Sequence, residues 1–189
     1  MQILQEKICQ YGQIIDNRVI KVDSFLNHQL DIDLFQEIGK EFKQRFKNKK
    51  ITKILTIESS GIAIACITAQ YFSVPVVFAK KHEAENLDLH TYQADVYSFT
   101  KNKFYKVRVA KEYLHSEDKV LLIDDFLAHG QAVNGLLEIA EQAGAEVVGV
   151  GIVIEKGFQK GRTRLKKPGL QIESLAIVEA IKDGQIIFK

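Results

Sequence analysis

The sequence predicts an α/β protein with a doubly wound, mostly parallel sheet, a small hood and a flexible β-flap. Strand patterns alternate with helical patterns along the chain, which is typical of a parallel sheet covered by helices. Strand patterns lie at residues 51–57, 74–79, 120–123 and 146–154. The run at 120–123 is continuously aliphatic, as expected for a strand buried on both faces. A chain of 189 residues is most simply one domain spanning residues 1–189.

The N-terminal part predicts two helices joined by an irregular connection. Residues 3–11 alternate charged and aliphatic residues at helical spacing. Residues 14–29 begin with β-branched residues and continue as a polar surface connection. Asp31 or Asp33 then caps a helix. Its apolar residues form one face and are Leu34, Phe35, Ile38, Phe42 and Phe46.

The strand at residues 51–57 ends in the polar turn Glu58-Ser59-Ser60-Gly61, and a helix of small residues follows at 62–69. Such a turn presents backbone amides to an anion, although an ordinary βα connection has the same pattern. The strand at 74–79 ends in Lys80 and Lys81. These lysines either neutralise an anion or are ordinary surface charge.

The flap is predicted at residues 83–92, which have little apolar periodicity. Residues 96–99 and 107–109 then predict a hairpin. Further on, the strand at 146–154 leads to Lys156 and Phe158. These two residues suit a flat, oxygen-bearing ring, or are a lysine beside a core phenylalanine. Two short strands end the chain at 174–178 and 185–188, joined by an Asp183-Gly184 turn.

The central motif of the chain is the run at residues 120–132. Four aliphatic residues lead into Asp124 and Asp125, which we expect at the carboxyl end of a buried strand, where α/β proteins bind ligands. The amides of residues 128–132 then lie at the start of a helix predicted at 133–143, where an anion is favoured. Taken alone, two acids before a helix are more typical of a capped turn than of a ligand site.

The whole run of thirteen residues is more specific, and it resembles the signature of the type I phosphoribosyltransferases. That family binds 5-phosphoribosyl 1-pyrophosphate (PRPP). The form Ile-Asp-Asp-Phe-Leu-Ala-x-Gly-Gln-Ala is similar to its xanthine-using branch, as are the segments at 22–29 and 57–63. Many members carry Thr-Gly-Gly/Lys-Thr in the phosphate turn, where this chain has His129-Gly130-Gln131-Ala132.

The resemblance also implies the site residues. It makes Asp124, Asp125 and Lys81 catalytic. Lys156 follows Asp124 by 32 positions, and the resemblance implies that it contacts the oxygen on purine C6. The other implied PRPP-binding residues are Ser59, Ser60, Gly61, Ala128, His129, Gly130, Gln131 and Ala132. The other implied purine-binding residues are Ile20, Asn27 and Phe158.

The implied reaction transfers the phosphoribosyl group of PRPP to N9 of xanthine, giving xanthosine 5′-monophosphate and pyrophosphate in purine salvage. The implied cofactor is Mg²⁺ bound with PRPP, and no direct protein ligand to it is assigned. Several 6-oxopurine enzymes carry an acid where this chain has Ala128, so proton transfer at purine N7 has no obvious residue. Alternatives are a preference for guanine or hypoxanthine, and a non-catalytic regulator that senses PRPP.

Composition narrows the remaining classes. The net charge of +2 does not suggest a nucleic-acid-binding surface. No apolar run approaches the roughly 20 residues of a membrane helix, and residues 1–7 do not have the pattern of a secretion signal. Cys9 and Cys66 do not suggest a disulfide framework or a zinc site. The expected protein is cytoplasmic and, by the resemblance, a homodimer with a hood formed by about residues 1–30 and the C-terminal region.

Overall fold

The computed structural model describes residues 1–16, 19–82, 90–98, 102–165, 167–182 and 184–189. Within these residues, eight strands form one sheet in the order β10-β9-β8-β7-β3-β4-β6-β5. The five strands from β9 to β4 run parallel, and antiparallel strands flank them at both edges. The predicted α/β class with a mostly parallel sheet is therefore confirmed.

The elements follow the predicted order. The helices are α1 (Gln2–Tyr11), α2 (Ile32–Arg45), α3 (Ser60–Phe72) and α4 (Gln131–Gln142). The strands of the main sheet are β3 (Lys53–Ile57), β4 (Val76–His82), β5 (Thr91–Ser98), β6 (Lys103–Ala110), β7 (Lys119–Leu127), β8 (Glu146–Lys156), β9 (Ile172–Lys182) and β10 (Gln185–Phe188).

Helices cover both faces of the sheet, as a doubly wound fold requires. On one face, α1, α2 and α3 bury a cluster that includes Leu4, Ile38, Phe42 and Ile64. On the other face, α4 packs through Val133, Leu136 and Ile139 against inward residues of β3, β7 and the β5–β6 pair. Asp31 is the residue that caps α2, because its Oδ1 accepts a hydrogen bond from the backbone N–H of Leu34 at 3.0 Å.

The connection predicted at 14–29 has more structure than its pattern indicated. Strands β1 (Gln13–Ile15) and β2 (Val19–Lys21) pair antiparallel, and a π-helical turn follows at Asp23–Asn27. Phe25 and Leu26 are buried in this turn. These apolar residues pack with α1 and with Leu175 and Val178 of β9, so the segment joins the core at the sheet edge.

Two predicted strand ends were wrong. β4 begins at Val76, two residues after the predicted start, and its last three residues, Lys80, Lys81 and His82, pair with β6. The flap prediction also ended too late: Thr91 and Tyr92 already belong to β5, and residues 83–89 lie outside the described residues. The predicted hairpins formed by β5–β6 and β9–β10 are both present, although Phe99 and Asp183 lie outside the described residues.

None of the helices in the described ranges has the length and apolar character needed to cross a bilayer.

Candidate functional site

A crevice opens in the sheet where strands β3 and β7 separate. The two strands pair at three positions, of which Leu55–Leu122 is the last. Beyond it, β3 continues beside β4, and β7 continues beside β8 as far as Leu127 and Glu155. Helix α3 follows β3 onto one face of the sheet, whereas α4 follows β7 onto the other. Ligands of open α/β sheets bind at such a switch point, outside the carboxyl ends of the strands.

Asp124 and Asp125 line this crevice from β7. They are only 4% and 9% exposed, and they lie inside the strand, which continues to Leu127 because β8 still pairs with it there. The strand therefore continues two residues past the end that the sequence predicted. Each carboxylate accepts a hydrogen bond from the next backbone N–H: Asp125 N donates to Asp124 Oδ1 at 3.0 Å, and Phe126 N to Asp125 Oδ1 at 2.8 Å.

These buried acids repel each other. Burial, followed by the negative charge of Asp125, raises the pKa of Asp124 well above its ordinary value. The ammonium of Lys81 acts in the opposite direction and lowers the pKa of Asp124. A cationic or hydroxyl-rich ligand would relieve this repulsion, because both carboxylates have lost most of their water.

The turn between β7 and α4 forms the second wall of the crevice. Gly130 is the N-cap of α4 and has a left-handed backbone with φ of +82°, which glycine adopts without steric cost. The first amides of a helix have no partner within it, and they favour an anion. We call residues 128–132 the phosphate turn. The prediction of a helix start at Val133 was two residues late, since α4 begins at Gln131.

A loop at residues 157–165 packs against the phosphate turn, a contact that was not predicted. Gly161 lies so close that a Cβ there would be 2.3 Å from the carbonyl oxygen of Ala128. Leu165 and Gly161 also close over Gly130, where a Cβ would be 2.9 Å from Leu165 Cδ2. We call residues 157–165 the supporting loop.

The supporting loop is held to the sheet by an ion pair between Arg162 and the buried carboxylate of Glu155. Arg162 donates to both oxygens of Glu155, with Nε to Oε1 at 3.1 Å and Nη2 to Oε2 at 2.6 Å. It also donates to the carbonyl oxygen of Ile172 at 2.9 Å. Although burial acts to raise it, the pKa of Glu155 is lowered, because Arg162 and the hydroxyl of Ser174 both bind the carboxylate. The two parallel contacts to one carboxylate hold the guanidinium in a single orientation.

The turn at residues 58–61 lies opposite, at the end of β3. Helix α3 begins at Ser60, and Ser59, its N-cap, is exposed. Gly61 is buried: a Cβ there would be 2.1 Å from Thr56 Oγ1 and 3.4 Å from Asp124 Oδ1. This turn therefore lies beside Asp124. The backbone N–H of Lys81 donates to Glu58, and the Lys81 ammonium lies 5.2 Å from the Tyr105 ring centroid.

Lys156 is the last residue of β8, and its ammonium is partly buried at the same end of the sheet. The Nζ atom lies 5.3 Å from the centroid of the Phe126 ring. Burial lowers the pKa of Lys156, and the charge of Asp125 partly opposes this shift. Phe158 is half-buried in the 3₁₀ turn at Gly157–Gln159. A desolvated ammonium between a ring and an acid is suited to bind a carbonyl oxygen.

The two purine-binding residues predicted from the hood, Ile20 and Asn27, differ in their exposure to solvent. Ile20 is 4% exposed and belongs to the core cluster that also contains Ile154 and Val178. Asn27 is exposed at the end of the π-helical turn. Three residues of the site were not predicted: Tyr105, Phe126 and Arg164. Phe126 could have been found, because it directly follows the two acids in the central motif.

Comparison with known proteins identifies the architecture. The model of a phosphoribosyl transferase domain matches residues 22–181. Curated relatives match over the whole chain. A protein of Clostridium novyi is 62% identical over 189 residues, covering 100% of both chains. A protein of Clostridium tetani is 58% identical over 190 residues, again covering 100% of both. A protein of Ruminiclostridium cellulolyticum is 55% identical over 188 residues, covering 100% of this chain and 99% of its own. All three are named xanthine phosphoribosyltransferase.

Solved structures share the fold at low sequence identity. The adenine phosphoribosyltransferase of Giardia lamblia, complexed with 9-deazaadenine, has a TM-score of 0.77 and 24% identity, covering 92% of this chain and 96% of its own. The adenine phosphoribosyltransferase of Rhodothermus marinus has a TM-score of 0.74 and 21% identity, covering 94% and 100%. At these identities the likeness is one of fold.

Proposed function

This chain belongs to the phosphoribosyl transferase domain family, and we propose that it catalyses transfer of the phosphoribosyl group of PRPP to N9 of xanthine. The products are xanthosine 5′-monophosphate and pyrophosphate, so the enzyme is a pentosyltransferase of purine salvage. The full-length relatives at 55–62% identity support the substrate. The observation that carries the proposal is the pair of buried acids beside the phosphate turn.

The crevice suits each part of PRPP. The phosphate turn takes the 5′-phosphate on its amides, Asp124 and Asp125 accept from the ribose hydroxyls, and the turn at 58–61 receives the diphosphate. Holding the three groups in one orientation lowers the entropic part of the barrier. The bond from ribose C1 to pyrophosphate breaks as the carbon gains oxocarbenium character. The Lys81 ammonium stabilises charge on the departing pyrophosphate. Purine N9 attacks C1, and the proton of the purine imidazole ring passes to water or to the departing pyrophosphate.

Magnesium fits this site as a companion of PRPP. Two adjacent carboxylates with mutual repulsion, seen in the raised pKa of Asp124, favour a cation nearby, and Mg²⁺ that is bound by the phosphates of PRPP and keeps several waters would supply it. The bound ion would neutralise charge on the diphosphate. We assign it no direct protein ligand.

The purine is read by hydrogen-bond chemistry. The Lys156 ammonium is a donor only and matches the oxygen on purine C6, whereas the 6-amino group of adenine is also a donor. Phe158 packs against the purine ring, and Ile20 supports the pocket from the core. Xanthine carries an additional oxygen on C2, so discrimination against hypoxanthine needs a donor there. We assign this donor to the side-chain amide of Asn27.

A turnover assay with PRPP, Mg²⁺ and each of xanthine, guanine, hypoxanthine and adenine tests the function. We expect the highest kcat/KM with xanthine and none measurable with adenine. Faster turnover of guanine or hypoxanthine would replace the proposed substrate within the same reaction. PRPP binding without turnover of any purine would instead favour a PRPP-sensing regulator.

We further propose that residues 1–189 form one domain whose hood comes from about residues 1–30 and the C-terminal strands. The packing of α1 and the π-helical turn on β9 supports this arrangement. We also propose a cytoplasmic homodimer that binds neither nucleic acid nor membrane. Sedimentation of the purified protein at micromolar concentration tests the dimer, and a monomer there would refute it.

A further inference from the structure

His129, within the phosphate turn, is held by an arginine 35 residues further along the chain. Nη1 of Arg164 lies 3.1 Å from Nδ1 of His129. A guanidinium has donors only and stays protonated at any working pH. Nδ1 of His129 must therefore accept, and an accepting nitrogen carries no proton. The single N–H of the neutral imidazole is then on Nε2.

The backbone of Arg164 is held on both sides. Its own carbonyl oxygen accepts from Nδ2 of Asn134, in the first turns of α4, at 3.1 Å. Two residues earlier, Arg162 is bound to the buried carboxylate of Glu155. Arg164, which contacts His129, is thus hydrogen-bonded to α4, and the start of this helix forms part of the phosphate turn.

We propose that Arg164 is a positioning residue for PRPP binding: its guanidinium fixes His129 as a neutral imidazole with its proton on Nε2. This proposal rests on the proposed function, in which the phosphate turn binds the 5′-phosphate. His129 then offers that turn one N–H donor and stays uncharged above about pH 6.5. The phosphate turn of this chain lacks the threonine hydroxyls common in the family, and a fixed imidazole N–H replaces one such donor.

The charges around His129 act in the same direction. Burial lowers the pKa of His129, and the cations Arg164 and Lys156 lower it further. The negative charge of Asp125 acts to raise the pKa of Lys156 and therefore favours its charged form. Because the folded pKa lies below the ordinary value of about 6.5, His129 stays neutral above that pH. Removing Arg164 takes away one of the three causes, so the pKa must rise.

The first test needs no ligand. Nitrogen-15 chemical shifts of the His129 ring distinguish the two neutral tautomers, with a His129→Gln spectrum providing the assignment. In the unaltered protein we expect the Nε2–H tautomer and no titration near pH 6.5. Arg164→Met removes the donors and keeps an apolar stem; in this variant we expect mixed tautomers and titration closer to pH 6.5. Arg164→Lys retains a charged donor and should restore much of the original behaviour.

The second test measures the Kd of Mg²⁺–PRPP by calorimetry at pH 6 and pH 8. In Arg164→Met, His129 gains a charge at the lower pH, so the ratio of Kd at pH 8 to Kd at pH 6 should rise about 5-fold above that of the unaltered protein, the difference between a neutral and a charged donor. The double variant with His129→Gln should lose this increase. Lys160→Gln, which removes an exposed cation of the same loop, is the matched control and should leave the ratio unchanged.

The two tests separate the possible failures. If His129 keeps its tautomer and titration in folded Arg164→Met, the positioning role is refuted. If the tautomer changes and PRPP binding has the same pH ratio, His129 does not act on the phosphate and the proposal is overturned. If the unaltered protein does not bind PRPP, the proposed function fails together with the binding role, while the tautomer result still stands.

Discussion

Gly161→Ala offers a sharp test of the supporting loop, because this substitution touches the phosphate turn only through its backbone. The new Cβ would lie 2.3 Å from the carbonyl oxygen of Ala128 and 3.1 Å from the backbone nitrogen of Gly130. An ordinary contact begins at 3.4 Å, so the turn must move by about 1 Å. Gly161 itself has φ of −58° and ψ of −41°, which alanine adopts without strain. The damage should therefore appear as displacement of the turn.

A displacement of about 1 Å in a substrate-positioning group costs on the order of 100-fold in rate. We expect kcat/KM for PRPP to fall by about that factor, equivalent to about 2.7 kcal/mol of transition-state stabilisation. Stability should change little, because replacing a glycine stabilises the protein by about 0.4–1 kcal/mol through the unfolded chain. This gain offsets part of the contact strain.

Steady-state kinetics with varied PRPP, together with thermal unfolding, measures both effects. Gly169→Asn is the matched control, since Gly169 has φ of +75°, a conformation that asparagine tolerates, and nothing lies within 4 Å of its added Cβ. A folded Gly161→Ala enzyme with kcat/KM within about 3-fold of the original would refute the argument that this loop positions the phosphate turn.

Three further substitutions address the acids and the purine pocket. Asp124→Asn should lower turnover yet raise the melting temperature at pH 8. Burial and the charge of Asp125 raise the folded pKa of Asp124, so the acid destabilises the fold increasingly as pH rises from its ordinary pKa to the folded pKa, and by a constant amount above it. Thermal scans from pH 5 to pH 8 should show a gain that grows with pH; a constant gain would contradict this. Lys156→Ala should cost roughly 1–3 kcal/mol in kcat/KM for xanthine and leave PRPP affinity unchanged by calorimetry, since it leaves a purine carbonyl unpaired; equal damage to both substrates would make the lysine structural. Asn27→Leu should lower kcat/KM for xanthine by ~10-fold and narrow its advantage over hypoxanthine; an unchanged ratio of the two would remove Asn27 from specificity.

The central strand motif was the best-predicted part of the chain, because its composition is unambiguous. A buried strand that leads into a helix explains the order of this motif, which has four aliphatic residues, then two acids, then a turn with a glycine. The sequence could not reveal how far the strand continues past Leu122. That length depends on β8, which keeps pairing with β7 after β3 has turned away. The burial of Asp124 is a consequence of this pairing.

Contacts between distant segments were the part that the sequence could not predict. Gly161 and Arg164 lie in a short polar stretch without periodicity, and nothing in its pattern indicates that it packs against residues 128–132. Lys81 was predicted as a strand-end charge, and only its pairing with Val107 of β6 extends β4 past it. In each case the missing information is the position of a partner strand or loop.

The Glu155–Arg162 ion pair connects the proposed base pocket to the segment that packs on the phosphate turn. Glu155 precedes Lys156, the residue assigned to the base, and Arg162 precedes Arg164, which contacts the phosphate turn. The spacing between base pocket and phosphate turn is consequently rigid, and the site accepts one molecular length. In a series of purines joined to a phosphonate by alkyl linkers of increasing length, affinity should peak sharply at one linker. In Glu155→Gln, which weakens this connection, the peak should become lower and broader.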